Sequence, residues 1–169
     1  MARFGIHTII GIVPLLLFLG ACQAPSDTEE FQAIQAVYDQ QSKAFNDRSV
    51  SGVLAVCSSG YQNDNAKAHR SERFSDYADR IESFLHDAEQ LRTTATIRSA
   101  KVHDNEAQLQ TDWHFEAMVN ATPPDGKRHH FVSDELDADT WIKDPAKGWI
   151  KRHTSVSSTV STLDGEAVP

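Results

Sequence analysis

Asp112, His114 and Glu116 are the residues with the clearest capacity for chemistry, because they alternate along one stretch of the sequence. Side chains two positions apart in a β-strand lie on the same face of the sheet. An imidazole beside a carboxylate can transfer a proton or contribute to a divalent metal site. These three are therefore the candidate catalytic residues. The simpler interpretation is an exposed polar sheet face. No His-x-x-x-His or Cys pair predicts a metal or another cofactor, and the adjacent His129 and His130 point to opposite faces if extended.

Aromatic side chains occupy the opposite face of the same predicted strand. Trp113 and Phe115 alternate with the polar residues, and Tyr38 and Trp141 are the other candidate pocket residues. If this face lines a cavity, the pocket suits an apolar ligand. The alternative is that these aromatic residues only form the core. The sequence does not decide which face is turned inward, so both interpretations stay open.

A second polar cluster is the acidic run Asp134, Glu135, Asp137 and Asp139. Carboxylates at this density can bind calcium, but the run lacks the glycine-turned loop spacing of calcium loops. Charged side chains also protect an exposed sheet edge against aggregation. We interpret the run as an acidic strand edge.

The N-terminus carries an apolar run, Ile6 to Leu19, which is too short for a comfortable membrane span and is typical of a secretion signal. The following Leu19-Gly20-Ala21-Cys22 resembles the lipobox of bacterial lipoproteins. That resemblance implies cleavage after residue 21, thioether-linked diacylglycerol and palmitate at Cys22, and a tether over residues 22–28. Because Gln23 is not the Asp that retains such proteins in the inner membrane, we expect an outer-membrane anchor facing the periplasm, or a cell-surface anchor in a Gram-positive organism.

Length and charge limit the possible functions of the remaining chain. The 169 residues leave about one domain after the signal is removed. The net charge of −8 opposes long-range attraction to nucleic acid. Once Cys22 is acylated, Cys57 is the one cysteine left, so no intrachain disulfide can form. We interpret Cys57, which lies on an apolar stripe, as a buried structural residue.

Three helices are predicted first and strands afterwards. Apolar residues at three- and four-residue spacing predict helices over 29–46, 50–57 and 71–91. Alternation after residue 92 predicts four antiparallel strands, and residues 161–169 are predicted to be disordered. Trp141 to Lys151 predicts a hairpin with its turn at Asp144-Pro145. The strand over 129–143 is expected to be bulged, because no single register places its large apolar residues on one face.

The order of elements and several short motifs resemble the nuclear-transport-factor-2-like superfamily, which includes SnoaL-like cyclases and ketosteroid isomerase. The motifs are Ala44-Phe45-Asn46-Asp47 before Val50 to Leu54, Thr111-Asp112-Trp113, and Asp139-Thr140-Trp141 with Gly148-Trp149. The resemblance covers about residues 29–160. It implies an α+β domain in which three N-terminal helices pack on a curved four-stranded antiparallel sheet, a cone-shaped cystatin-like roll. It also implies a homodimer formed through the sheet.

The same resemblance does not supply a catalytic set. Ketosteroid isomerases use a Tyr in the first helix, an Asp base after the second and a protonated Asp on a strand. Gln41 lies at the Tyr position, Tyr38 lies three residues earlier, and the base position falls near Asp64 or Asn65. We therefore predict a lipid-anchored periplasmic module that binds a small apolar ligand or an envelope protein, without catalysis. The alternative is an isomerase or cyclase-like enzyme, which requires His114 to face inward.

Overall fold

The computed structural model describes residues 27–120 and 125–168, which form an α+β domain. The helices are α1 (Asp27–Asn46), α2 (Val50–Ala55) and α3 (Phe74–Asp87). The strands are β1 (Cys57–Asn65), β2 (Arg70–Arg73), β3 (Glu89–His103), β4 (Glu106–Asn120), β5 (Arg128–Asp144), β6 (Gly148–Leu163) and β7 (Glu166–Val168). The predicted signal, the lipidation site Cys22 and residues 22–26 of the tether lie outside the described residues. No helix in the described ranges is long and apolar enough to cross a membrane.

The strands form one sheet in the order β2-β1-β6-β5-β4-β3, with β7 paired to β6. All neighbours are antiparallel except β1 and β6. The four predicted strands correspond to β3 through β6. The prediction of a four-stranded sheet was wrong, because the described chain adds β1, β2 and β7. At β1, the buried positions include Asn63 and Asn65, so hydrophobic alternation did not mark this strand.

Both later helices are shorter than the sequence predicted. The second ends at Ala55, and Cys57 opens β1. The third ends at Asp87, and Leu91 is buried from β3. The position of Leu91 fits both a helical spacing and a strand. Because Glu89 pairs with Met118, the sheet already begins before Leu91, and the helix ends earlier than predicted. Apolar spacing alone did not locate either helix end.

The C-terminal region also differs from its prediction. Residues predicted to be disordered continue β6 to Leu163 and then form β7 on the same sheet. Asp164 anchors the intervening turn, since its carboxylate accepts a hydrogen bond from the His130 backbone N–H at 2.8 Å and lies 2.7 Å from His129 Nδ1. These partners are more than thirty residues away, so local sequence does not reveal the turn.

The predicted hairpin joins β5 to β6. Asp144 Oδ1 accepts hydrogen bonds from the backbone N–H groups of Ala146 and Lys147, at 2.8 and 2.9 Å. Gly148 then adopts a positive φ of 76°. A glycine takes this conformation without steric cost, whereas residues with a Cβ rarely do. Trp141 and Trp149, on either side of the turn, are both buried, as expected for a hairpin that closes the core.

The expected bulge lies in β6 and not in β5. Pairing between β4 and β5 is continuous from Glu106–Ile142 to Asn120–Arg128. The register shifts occur against β6, where Arg152 and Ser157 are the extra residues. β5 is therefore a regular strand with strict alternation. Its odd-numbered residues face the helices and its even-numbered residues face the outer side of the sheet.

Candidate functional site

The alternation of β5 turns three of its acidic side chains toward the helices. Asp137 and Asp139 are 5% and 2% exposed, and Glu135 is half-buried. Asp134 lies on the outer face. β5 is paired on both sides, with β4 and β6. The interpretation of this run as an acidic strand edge was therefore wrong, and three of its four carboxyl groups face the interior of the domain.

Asp139 is held by a network that crosses from the sheet to α1. The Tyr38 hydroxyl donates to Asp139 Oδ2, and the Thr154 hydroxyl donates to Oδ1. The Tyr38 oxygen in turn accepts hydrogen bonds from Thr111 Oγ1 at 2.9 Å and from Trp141 Nε1 at 3.1 Å. Burial and the nearby Asp139 raise the pKa of Tyr38 well above its usual value, so its hydroxyl stays a donor. Every polar atom of this network has a partner.

Lys151 provides the positive charge next to Asp139. Its Nζ lies 3.4 Å from Asp139 Oδ2, and the residue is only 3% exposed. Three aromatic rings surround the ammonium group, with centroids at 4.8 Å (Tyr38), 5.5 Å (Trp113) and 5.4 Å (Trp141). Ring faces attract a cation, most strongly where water is excluded. The aromatic residues thus hold a charged lysine inside the core.

A cavity of about 220 Å³ lies next to this network, between α1, α3 and the inner face of the sheet. Its apolar wall consists of Phe45, Ile81, Phe84, Trp113, Phe115 and Phe131. Its polar lining includes Gln41, Asn63, Arg70, Glu135, Asp137 and Lys151. An aromatic wall with a few convergent polar groups is typical of a ligand site. The volume is below the roughly 300–1,000 Å³ of drug-sized pockets, which indicates a small ligand.

Asp137 is a strongly perturbed carboxyl group in the lining of this cavity. Burial, together with the neighbouring Asp139, raises its pKa to about 8. Burial also raises the pKa of Glu135. Asp137 Oδ1 makes no hydrogen bond to any group that the structure describes. A buried carboxyl group with a raised pKa and an unpartnered oxygen is a candidate functional group.

The arginines of the cavity have carboxylate partners of their own. Arg80 Nε lies 2.8 and 3.0 Å from the two carboxylate oxygens of Glu72, and Arg70 Nε lies 3.2 Å from Glu72 Oε1. Glu72 is buried, with 6% exposure. Neither Glu135 nor Asp137 forms an ion pair within residues 27–120 and 125–168. Arg70 and Arg80 therefore share a single carboxylate, while the carboxyl groups of Glu135 and Asp137 lie outside any ion pair of the described residues.

The predicted catalytic residues lie on the other face of the sheet. His114 Nδ1 is 2.7 Å from Asp134 Oδ1, and the His114 side chain is 45% exposed. Asp112 pairs with Arg98, and Glu116 lies 2.9 Å from His130 Nε2. The structure thus gives each of the three a different partner and does not bring them together. The requirement that His114 face the cavity is not met.

The predicted pocket residues are close to the cavity. Trp113 and Phe115 line it, in a stacked pair with centroids 5.6 Å apart. Tyr38 and Trp141 are fully buried beside it, in the network around Asp139. Cys57 is buried too, and burial raises its pKa to about 12, which agrees with a structural role. In the described ranges no group of three or more His, Cys, Asp or Glu is arranged to hold a metal ion.

Comparison with known proteins concerns the fold. No protein-family model and no curated protein matches the sequence. A nuclear transport factor 2-like superfamily protein from Salmonella enterica serovar Typhimurium is similar in structure, with a TM-score of 0.62, 18% identity, and coverage of 79% of this chain and 93% of that one. A ketosteroid isomerase-like protein from Erwinia carotovora atroseptica has a TM-score of 0.58 and 16% identity, over 77% of this chain and 98% of that one.

A third similar structure is a domain with a cystatin-like fold from Nostoc punctiforme, with a TM-score of 0.56 and 16% identity over 78% of each chain. The described chain therefore has the nuclear-transport-factor-2-like fold, and the fold implied by the sequence motifs is confirmed. Identities this low establish the fold and leave the reaction open, because function depends on the site that each chain builds on the fold.

Proposed function

We propose that this protein is a lipid-anchored module of the bacterial envelope that binds a small molecule in its cavity. The observation that supports binding is Asp137, a carboxyl group that is 5% exposed and has an unpartnered oxygen in an aromatic cavity. In native proteins such buried polar atoms almost always have a partner. A ligand with an apolar body and a polar end would contact the aromatic wall and give Asp137 that partner.

Three probes that share one body and differ in their polar end test this function. They are 2-phenylethylamine, 2-phenylethanol and phenylacetate, and titration calorimetry on the purified full chain gives their affinities. Ser133→Leu should abolish the binding of every probe that binds, because Ser133 is 2% exposed in the cavity lining and leucine fills part of the space. Ser158→Leu, the same change on the outer face of the sheet, should leave binding unchanged. Absence of saturable binding by all three probes contradicts the proposal.

The anchor rests on the lipobox resemblance at Cys22. We expect the chain to sediment with outer membranes and to incorporate labelled palmitate. Cys22→Ser should prevent both. A Cys22→Ser chain that stays membrane-bound and labelled would contradict the anchor without affecting the binding proposal.

Proton transfer by Asp137 is the second candidate function. A general acid–base group works best when its pKa lies near the working pH, and the pKa of Asp137 is raised to about 8. The catalytic group of an isomerase-like enzyme would then be Asp137, in place of the His114 pair. Exchange of the α-protons of 2-tetralone in D₂O, followed by NMR, tests this activity. Catalysed exchange that Asp137→Asn abolishes would support an enzyme, and exchange at the uncatalysed rate would contradict one.

A further inference from the structure

Three residues that line the same cavity, from three different elements, each carry an unpartnered oxygen. Gln41 Oε1 on α1, Asn63 Oδ1 on β1 and Asp137 Oδ1 on β5 make no hydrogen bond within the described residues. The three residues are 1%, 5% and 5% exposed. Gln41 Nε2 donates to the Val53 carbonyl at 3.2 Å, which fixes Oε1 as the free end of the amide. Three of the unpartnered polar atoms on lining residues are therefore acceptors, and a fourth, Arg70 Nε at 3.2 Å from Glu72 Oε1, is a donor without a hydrogen bond in the described ranges.

The ion pairs of the cavity leave two carboxyl groups of its lining without a cation. Lys151 faces Asp139, and Arg70 and Arg80 face Glu72. Arg70 and Arg80 share the one carboxylate of Glu72, and the carboxyl groups of Glu135 and Asp137 form no ion pair within the described residues. An anionic ligand would bring further acceptors to the unpartnered oxygens of Gln41, Asn63 and Asp137. A protonated primary amine brings three N–H donors, a positive charge and no acceptor.

The rest of the wall fits such a ligand as well. Trp113, Phe45 and Phe115 present aromatic surface, which stabilises both a flat apolar body and a neighbouring ammonium group. We propose that the cavity binds a small primary amine with an aromatic or alicyclic body, its ammonium group donating to Gln41, Asn63 and Asp137. This inference rests on the proposed binding function and specifies its ligand class.

Binding of the amine is coupled to a proton. The ammonium group ionises Asp137, the carboxyl proton passes to the buffer, and one ion pair forms with no other change in bonding. At pH 7 about one proton should be released per amine bound. Affinity should rise up to tenfold per pH unit below pH 8, since the pKa of Asp137 is about 8. The ionisable groups that face Asp137 or share its cavity are Glu135, Asp139, Lys151, Arg80, Arg70, Tyr61 and Tyr77.

The ranking of the three probes on the full chain at pH 7 tests the inference. We expect 2-phenylethylamine to bind at least tenfold more tightly than 2-phenylethanol, and phenylacetate not to compete. Titrations in two buffers with different ionisation enthalpies give the proton count. Equal or tighter binding of the alcohol or the acid would overturn the amine inference and leave the binding function standing. Absence of binding by all probes would overturn both.

Variants identify the group that receives the ammonium. Asp137→Asn should weaken amine binding at least tenfold and abolish proton release. Asp134→Asn, the same change three residues earlier in β5 and on the outer face, should alter neither. Unchanged amine affinity in Asp137→Asn would overturn the inference. If Asp137→Asn does not fold, Asn63→Leu, which removes another acceptor, should give a similar loss of amine affinity. The proton count on the natural chain tests the role of Asp137 independently of any variant.

Discussion

Tyr38 in the first helix donates a hydrogen bond to Asp139, 101 positions further along the chain, and so joins α1 to the centre of the sheet. The two residues are 0% and 2% exposed. A buried carboxylate is costly unless donors and a positive charge compensate it. Tyr38, Thr154 and Lys151 supply them. The network therefore contributes to stability and also forms the support on which the cavity is built.

Tyr38→Phe should destabilise the fold by about 1–3 kcal/mol, because Asp139 loses a donor while Thr111 and Trp141 lose their acceptor. Urea denaturation measures this free energy of unfolding. Tyr77→Phe is the matched control, since phenylalanine keeps the ring contact of Tyr77 with Tyr61 at 4.9 Å. It should cost less than about 1 kcal/mol. Equal losses of unfolding free energy in the two variants would show that the Tyr38 hydroxyl contributes no more to stability than the Tyr77 hydroxyl.

Lys151→Met should cost about 3–5 kcal/mol, because it leaves the Asp139 carboxylate buried without its cation. Methionine keeps an unbranched apolar chain among the three rings. In the double variant Asp139→Asn/Lys151→Met, the loss should be smaller than the sum of the single losses by more than about 1 kcal/mol.

Lys43→Met provides the control for the lysine substitution. Lys43 pairs with Asp47 on the surface, where the two side chains are 74% and 55% exposed. This change should alter stability by less than about 0.5 kcal/mol. Additive losses for Lys151 and Asp139 would mean that the buried pair is not coupled.

The long strands could be predicted from the sequence because their inward positions are mostly apolar. On β4, Leu109, Trp113 and Ala117 alternate with polar residues, and the alternation predicts both the strand and its buried face. On β1 the inward positions include Asn63 and Asn65, so the same signal is missing. Burial of these amides depends on contacts with distant elements, which no local pattern encodes.

The carboxyl groups of the cavity could have been found by a stricter use of alternation. Trp141 is a predicted buried residue, and counting back by two gives Asp139, Asp137 and Glu135 on the same face. The expectation of a bulge in β5 prevented this step. The extra residues lie in the partner strand at Arg152 and Ser157, and a single sequence does not reveal which of two paired strands carries a bulge.

The outer face of the sheet carries an exposed apolar residue, Val160, at 65% exposure. The fold resemblance predicts a homodimer through this face, so Val160→Glu should convert a dimer to a monomer. In a two-fold interface the substitution occurs twice and buries two carboxylates. Light scattering after gel filtration measures the mass. Lys147→Glu, in the hairpin turn, is the control and should leave the mass unchanged. A monomeric natural chain, or a dimeric Val160→Glu chain, would contradict the prediction.

Asp137 should make the stability of the protein fall as the pH rises. Burial raises its folded pKa from 3.8 to about 8, so the folded chain binds a proton that the unfolded chain has lost between these values. The contribution is fully present below the unfolded pKa and disappears as the pH approaches 8, with a slope of at most about 1.4 kcal/mol per pH unit. In Asp137→Asn this term is absent, while the other titrating groups are retained. The free energy of unfolding of the natural chain, measured in urea from pH 5 to pH 8, should therefore fall relative to that of Asp137→Asn. Parallel curves would show that Asp137 titrates normally and that its carboxyl is ionised in the folded protein.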